Sequence, residues 1–259
     1  MPETPAPAHN TKTIARNSLW YGLEVGIALF SALAVSIGVA RVMGPEKLGY
    51  YAYITWLTNM SNIVGCLGIP MSTRKYMAEY LARGEHGIAR AIFFSTLRLQ
   101  ALIAAGITAI GLTLVFTVSE PSYRIISAFL VGALLPRMTL SIPSQANMAR
   151  ENMRANVPAS VLNNVVTLTL VGLSLLRGWG LPGVAIGMFI GHCSEFIARL
   201  IPTVRWASRL PHGTMPPEVR SRMISFSGYG MVLMLLNAVV WDRSDIIFLK
   251  ALSSDIRQV

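Results

Sequence analysis

The sequence predicts an all-α protein, a polytopic bundle of transmembrane helices, and three observations carry that prediction. Hydrophobic residues make up 53% of the 259 residues, charged residues only 13%, and the mean hydropathy is +0.52. A soluble domain carries about 25% charged residues, so this chain lacks the polar surface of an ordinary soluble globule. The apolar residues also fall into long runs between short polar segments, which is typical of a chain that crosses a bilayer several times.

Seven apolar stretches meet the requirement of about 20 residues for a helix that spans a bilayer. We place them near 18–40, 49–70, 91–117, 123–146, 158–176, 183–204 and 223–249. The last is long for one span, which predicts that it tilts or projects from the bilayer. The connections are short except 71–90 and 205–222, and neither could hold a soluble catalytic domain.

These stretches predict four parts of the chain. Residues 1–15, which are rich in proline and polar side chains, predict a disordered cytoplasmic tail. Residues 16–204 predict a six-helix transmembrane bundle, and 205–222 a basic cytoplasmic linker. Residues 223–259 predict a seventh transmembrane helix.

The sequence of the predicted seventh helix indicates the start of a second repeat. Residues 222–258 look like a weak copy of 16–48, because both begin with Arg, continue with Ser and aromatic residues, and carry Gly six residues after the Arg. The copy stops where the next span should begin. We therefore expect a truncated chain from a longer transporter, and the alternative is a natural half that pairs with another subunit.

The distribution of basic residues predicts the orientation. Thirteen Lys and Arg flank one set of span ends: Lys12, Arg16, Arg74, Lys75, Arg83, Arg90, Arg150, Arg154, Arg199, Arg205, Arg209, Arg220 and Arg222. The opposite set holds four: Arg41, Lys47, Arg124 and Arg177. Basic loops stay in the cytoplasm, so this bias predicts a cytoplasmic N-terminus. It also explains the net charge of +10 without nucleic acid, which we do not expect as a partner.

Nothing in the sequence indicates a metal, a cofactor or an enzyme. Cys66 and Cys193 lie inside apolar stretches without a CxxC or CxxH partner, so they are expected to pack as small hydrophobic residues. The sequence also lacks a P-loop, GxSxG and HExxH. Asp242 and Asp245, the nearest pair of carboxylates, lie on a predicted transmembrane helix.

Two arginines within the predicted spans are candidates for phosphate contacts, because an ionisable group inside a bilayer is costly and marks a functional site by default. Arg137 follows Pro136 in the fourth span, about 18 Å from the outer end. A cation facing a cavity and a structural ion pair are the two interpretations. Arg98 lies about two turns into the third span, where snorkelling of the side chain towards the interface is the alternative.

Acidic and histidine side chains in the spans are candidates for ion coupling or charge pairing. Glu24, in the first span, could carry a coupling proton, pair with an Arg, or be a carboxylate at the membrane interface. His192, Glu195 and Arg199 fall at i, i+3 and i+7, which places them on one helical face. Glu195 and Arg199 have the i,i+4 spacing of an ion pair. Asn163, in the fifth span, and its neighbour are expected to hold helices together by hydrogen bonds.

Four segments resemble one known family. VARVMGPEKLGYYAYITWL (39–57) and LGIPMSTRKYMAEYLARGE (67–85) look like the start of bacterial polysaccharide and O-antigen flippases, the Wzx-like branch of the MOP superfamily. ARENMRANVPASVLNNVV (149–166) is similar to that family's loop into the fifth helix. VVWDRSDIIFLKAL (239–252) resembles its seventh helix, which often carries Arg-x-Asp. The superfamily also contains MATE drug exporters and the lipid II flippase.

The resemblance implies transport of an undecaprenyl-pyrophosphate-linked oligosaccharide across the bacterial inner membrane by alternating access, as in O-antigen and lipopolysaccharide synthesis. Arg137, Arg98 and Arg243 then become candidate phosphate contacts, and Glu24, Asp245, Glu195 and His192 candidates for ion coupling or charge pairing. Implied partners are the lipid-linked oligosaccharide, membrane lipids, a polysaccharide polymerase and other glycan-assembly proteins.

The sequence is also compatible with two other functions. A MATE-like multidrug exporter coupled to an ion would favour buried acids over buried arginines, whereas this chain carries both. A membrane scaffold of a glycan-assembly complex would need no cation in a cavity. The scaffold therefore predicts that Arg137→Ala is tolerated, whereas the flippase predicts loss of export.

Overall fold

The computed structural model describes residues 9–242, and every regular element in that range is helical. The helices are α1 His9–Cys66, α2 Ile69–Ala82, α3 His86–Val118, α4 Arg124–Gly132, α5 Leu134–Ala149, α6 Val157–Leu176, α7 Gly180–Ser208 and α8 Pro217–Asp242. A 3₁₀ turn, Met153–Ala155, precedes α6. This architecture confirms the predicted all-α helical bundle.

Within 9–242, five helical stretches are long and apolar enough to cross a membrane: Ala15–Cys66, His86–Val118, Arg124–Ala149, Met153–Leu176 and Gly180–Ser208. The first accounts for two predicted spans, because α1 is kinked at Gly44, whose φ of 80° is a conformation that glycine tolerates. Pro45 then starts the second segment, where its missing N–H costs little. The predicted seventh span falls on α8 and on residues beyond those described.

Both ends of α1 differ from the prediction. The helix begins at His9, so part of the segment predicted as a disordered tail, 1–15, is helical. The prolines of the tail all precede His9, so nothing in the covalent geometry stops the helix there. The other end comes at Cys66 rather than at residue 70, because Leu67 and Gly68 take φ values of 48° and 69°.

The long connection predicted at 71–90 is largely helical. It contains α2, a 14-residue helix that buries Tyr76, Met77 and Tyr80 on one side and exposes Arg74 and Lys75 on another. A search for long apolar runs misses such a helix, because its apolar residues form a stripe and not a run.

The fourth predicted span is interrupted. α4 ends at Gly132, Ala133 joins the two helices, and α5 begins at Leu134. Pro136 lies in the first turn of α5, where it has no N–H to donate to the carbonyl of Gly132. The interruption places Arg137, the next residue, in the first turn and a half of α5.

The basic linker predicted at 205–222 is shorter in the structure. α7 continues to Ser208 and α8 begins at residue 217, so the non-helical segment is 209–216. The Arg90 guanidinium, near the start of α3, donates to the carbonyl oxygens of Ser208 and Leu210, each at 2.7 Å. These two bonds cap the end of α7 and hold the linker against α3.

α6 and α7 pack with their backbones close together. Gly183, Gly187 and Gly191 recur every four residues and form a glycine stripe on α7. A Cβ atom on Gly187 would lie 3.1 Å from Leu170 Cβ and 3.2 Å from the backbone N of Val171, both on α6. The stripe therefore brings the polar residues one turn beyond it on α7 against α6.

Candidate functional site

A polar cavity of about 280 Å³ lies inside the bundle, between α1, α5, α6 and α7. Its polar lining residues are Ser31, Tyr51, Thr55, Asn59, Arg137, Asn163, Asn164, Thr167 and His192. A cavity with this lining can hold a hydrophilic group at membrane depth, where lipid offers no hydrogen bonds.

Arg137 is the cation of this cavity. It lies thirteen residues beyond Arg124, the start of α4, which is about 20 Å along the helices. Its Nη2 donates to Asn59 Oδ1 at 3.0 Å. Arg137 makes no ion pair in the part of the chain that the structure describes. An arginine held by one neutral amide keeps donors for an anionic group.

Ser31 adds an unpartnered hydroxyl to the same cavity. Its side chain is 5% exposed, and its Oγ makes no hydrogen bond to any described residue. Buried polar atoms are nearly always hydrogen-bonded, so an unpartnered hydroxyl on a cavity wall marks a position for a polar group. Neither Ser31 nor Asn59 is recognisable from the sequence, because isolated small polar residues in apolar helices are common and carry no distinctive spacing.

A second polar centre, the Arg199 cluster, lies beside the cavity and consists of Arg199, Glu24, Glu195 and Ser160. Arg199 is 4% exposed. Its Nη2 lies 2.7 Å from Glu195 Oε1 and 2.9 Å from Glu24 Oε1. The ion pair predicted from the i,i+4 spacing is therefore present. Glu24 pairs with an Arg, which is one of the alternatives left open for it.

The cluster contains two carboxylates for one guanidinium. Ser160 Oγ lies 2.9 Å from Glu24 Oε1 and 3.2 Å from Glu195 Oε1, and a hydroxyl has one proton to donate. Arg199 Nη1 reaches Ser144 Oγ at 3.1 Å, and Nη2 reaches the backbone carbonyl of Asn156 at 3.2 Å. With both acids ionised, the cluster carries a net charge of −1 inside the bundle.

Asn163 joins the Arg199 cluster to the cavity. It lines the cavity, and its Nδ2 donates to Glu195 Oε2 at 2.9 Å. This bond connects α6 to α7, as expected for a residue that holds helices together. Asn164 differs, because its hydrogen bond goes to the carbonyl of Ser160 in its own helix. His192, one turn before Glu195, lines the cavity.

The structure does not bring all the predicted residues together. Arg98 is exposed on α3 and is not part of the lining of the cavity that contains Arg137. Its position fits the snorkelling alternative. Arg243 and Asp245 lie outside the described residues 9–242, so their predicted roles stay predictions.

Comparisons with known proteins agree with this architecture. Residues 14–256 match the family model described as "Polysaccharide biosynthesis protein". No curated protein matches the sequence.

Three solved structures share the fold. An outward-facing multidrug resistance MATE family transporter of the MOP superfamily has a TM-score of 0.76 at 15% identity, over 93% of this chain and 55% of its own. MATE in complex with MaD3S also has a TM-score of 0.76, at 14% identity, over 93% of this chain and 57% of its own. A MOP superfamily transporter from Pyrococcus furiosus, described by the reverse polarity of its binding pocket, has a TM-score of 0.74 at 14% identity, over 93% of this chain and 55% of its own.

The chain thus spans little more than half the length of these solved structures, and their low identity shows a common fold only. The family model, in contrast, covers nearly the whole sequence. The chain belongs to the polysaccharide biosynthesis protein family, with the fold of the MOP superfamily.

Proposed function

We propose that this protein is a transporter that moves an undecaprenyl-pyrophosphate-linked oligosaccharide across the bacterial cytoplasmic membrane by alternating access. The observation that carries the proposal is Arg137, which lines a polar cavity inside the bundle and makes no ion pair with any described residue. Such a cation would bind the phosphate of a hydrophilic head group by charge-assisted hydrogen bonds, while the lipid tail stays in the bilayer. Binding and release require no covalent step, so we propose no enzymatic activity.

The Arg199 cluster supports coupling to an ion. Two carboxylates share one guanidinium there, and Asn163 connects them to the cavity. Protonation of Glu24 or Glu195 would neutralise the cluster and weaken its hold on Arg199, which would change the field at Arg137. His192 faces the cavity and is a further candidate for this role. In this proposal the N-terminus is cytoplasmic, and the glycan polymerase and other assembly proteins are partners.

The test is glycan export in cells that depend on this protein. We expect Arg137→Ala to abolish export at a normal protein level, and Arg137→Lys to retain part of it because a charge remains without the bidentate geometry. Arg98→Ala is the matched control, because Arg98 is exposed and outside the cavity. Normal export by Arg137→Ala would refute the phosphate mechanism and favour a membrane scaffold.

A MATE-like multidrug exporter is the second candidate, and the shared fold favours it. A cationic drug would need a free carboxylate in the cavity, whereas Glu24 and Glu195 are both bound by Arg199. We therefore expect no change in resistance to cationic drugs when the protein is removed. If removal of the protein lowers resistance to cationic drugs and leaves glycan export normal, the multidrug exporter becomes the first candidate and the flippase the second.

A further inference from the structure

An apolar groove of about 410 Å³, the α3–α8 groove, is lined by residues of α2, α3 and α8 and of the segments that precede α2 and α8. Leu99 and Ile103 of α3 form one wall, and Met223 and Met231 of α8 form the other. Ile69, in the first turn of α2, forms part of its floor. None of these residues lines the cavity of Arg137.

The groove has the length of one leaflet. On α8 its lining runs from Arg220 through Met223 and Ser227 to Met231. Met231 lies eleven residues beyond Arg220, which corresponds to about 16 Å along a helix axis. Half of a hydrocarbon core of about 30 Å is about 15 Å. The groove therefore matches the depth to which one acyl chain of a bilayer lipid reaches.

The groove is open towards the side. Leu99 is 48% exposed and Ile224, on the facing helix, is 64% exposed. Leu99 lies on α3, which is long and apolar enough to cross a membrane, and Ile224 lies on the predicted seventh span. Large apolar side chains with this exposure are expected to contact hydrocarbon. An acyl chain could enter between these two residues without passing through the bundle.

A cation stands at one end of the groove. Arg220 lines its first turn on α8, is exposed, and has no side-chain partner among residues 9–242. The charge of Arg220 complements an anionic head group and disfavours a neutral one. Arg209, which follows the end of α7, lies at the same end of the bundle but does not line the groove.

We propose that the α3–α8 groove binds one anionic phospholipid, with its phosphate on Arg220 and one acyl chain along Met223–Met231. A bilayer phospholipid fits better than a polyprenyl chain, because the lining formed by the described residues extends over about one leaflet. The site is independent of the proposed transport function, since it shares no residue with the Arg137 cavity.

The test is native mass spectrometry of the full chain, delipidated in detergent and titrated with phosphatidylglycerol or phosphatidylcholine. Gly228→Leu fills the groove, because Gly228 lines it and a Cβ there meets nothing within 4 Å. Gly106→Leu is its control, a glycine on α3 with equally open surroundings that is not part of the lining. Arg220→Gln removes the charge, and Arg209→Gln is the control for an exposed arginine at the same end.

We expect one phosphatidylglycerol to bind the unmodified chain more tightly than phosphatidylcholine. Gly228→Leu should abolish this binding, and Arg220→Gln should weaken it about tenfold through the loss of a charge-assisted contact. Both controls should bind as the unmodified chain does. Unchanged binding in Gly228→Leu would overturn the proposal, and so would equal losses in Arg220→Gln and Arg209→Gln. Preference for a polyprenyl phosphate over phosphatidylglycerol would overturn the choice of ligand.

Discussion

Removing the guanidinium of Arg199 is the sharpest test of the Arg199 cluster. Arg199→Met keeps most of the side-chain volume, but it leaves Glu24 and Glu195 buried without a cation. Their side chains are only 15% and 11% exposed, and both contact Arg199 at less than 3 Å. Breaking a buried ion pair by removing one partner costs about 3–5 kcal/mol, mostly because the remaining charge stays buried.

We therefore expect Arg199→Met to lower the free energy of unfolding by about 3–5 kcal/mol. The measurement is equilibrium unfolding of the purified protein in detergent. Arg205→Met is the matched control, because Arg205 lies on α7, is exposed, and makes no ion pair with any described residue. That variant should change the stability by less than about 0.5 kcal/mol.

A compensating variant separates the electrostatic cost from a packing cost. Adding Glu24→Gln and Glu195→Gln to Arg199→Met removes both uncompensated charges and keeps similar volumes. We expect the triple variant to recover most of the lost stability, since replacing a whole buried ion cluster is often neutral. If Arg199→Met unfolds like Arg205→Met, or if the triple variant is no better than the single one, the electrostatic account of the cluster is wrong.

Two glycine contacts give further predictions, each measured by equilibrium unfolding. Gly68→Ala should destabilise the protein more than Gly84→Ala. Both glycines have φ near +70°, but a Cβ on Gly68 would overlap the carbonyl oxygen of Ser227 on α8, whereas a Cβ on Gly84 would meet nothing within 4 Å. The shared left-handed conformation costs about 1–2 kcal/mol in both, so equal effects would contradict the close α2–α8 contact. Gly187→Leu should cost at least about 1–3 kcal/mol more than Gly172→Leu, whose Cβ meets nothing within 4 Å; similar stabilities would argue against the tight α6–α7 packing.

The sequence predicts the helices of this protein well, because the requirement for a long apolar run is local and strong. The kink at Gly44 is also readable, since Gly-Pro between two apolar runs marks a break. The pair Glu195–Arg199 follows from spacing on one helix. In contrast, α2 is not found by a search for apolar runs, because a short amphipathic helix has none.

The partners of the polar residues are decided only by the tertiary structure. Glu24 and Arg199 are 175 residues apart in the chain, and nothing in their local sequence connects them. The helices are apolar nearly all round, so hydrophobic periodicity does not show which face turns inward. Arg137 and Arg98 are both arginines within apolar stretches, yet one lines a cavity and the other is exposed. Membrane insertion depends on the composition of each segment, whereas the site depends on how the segments pack.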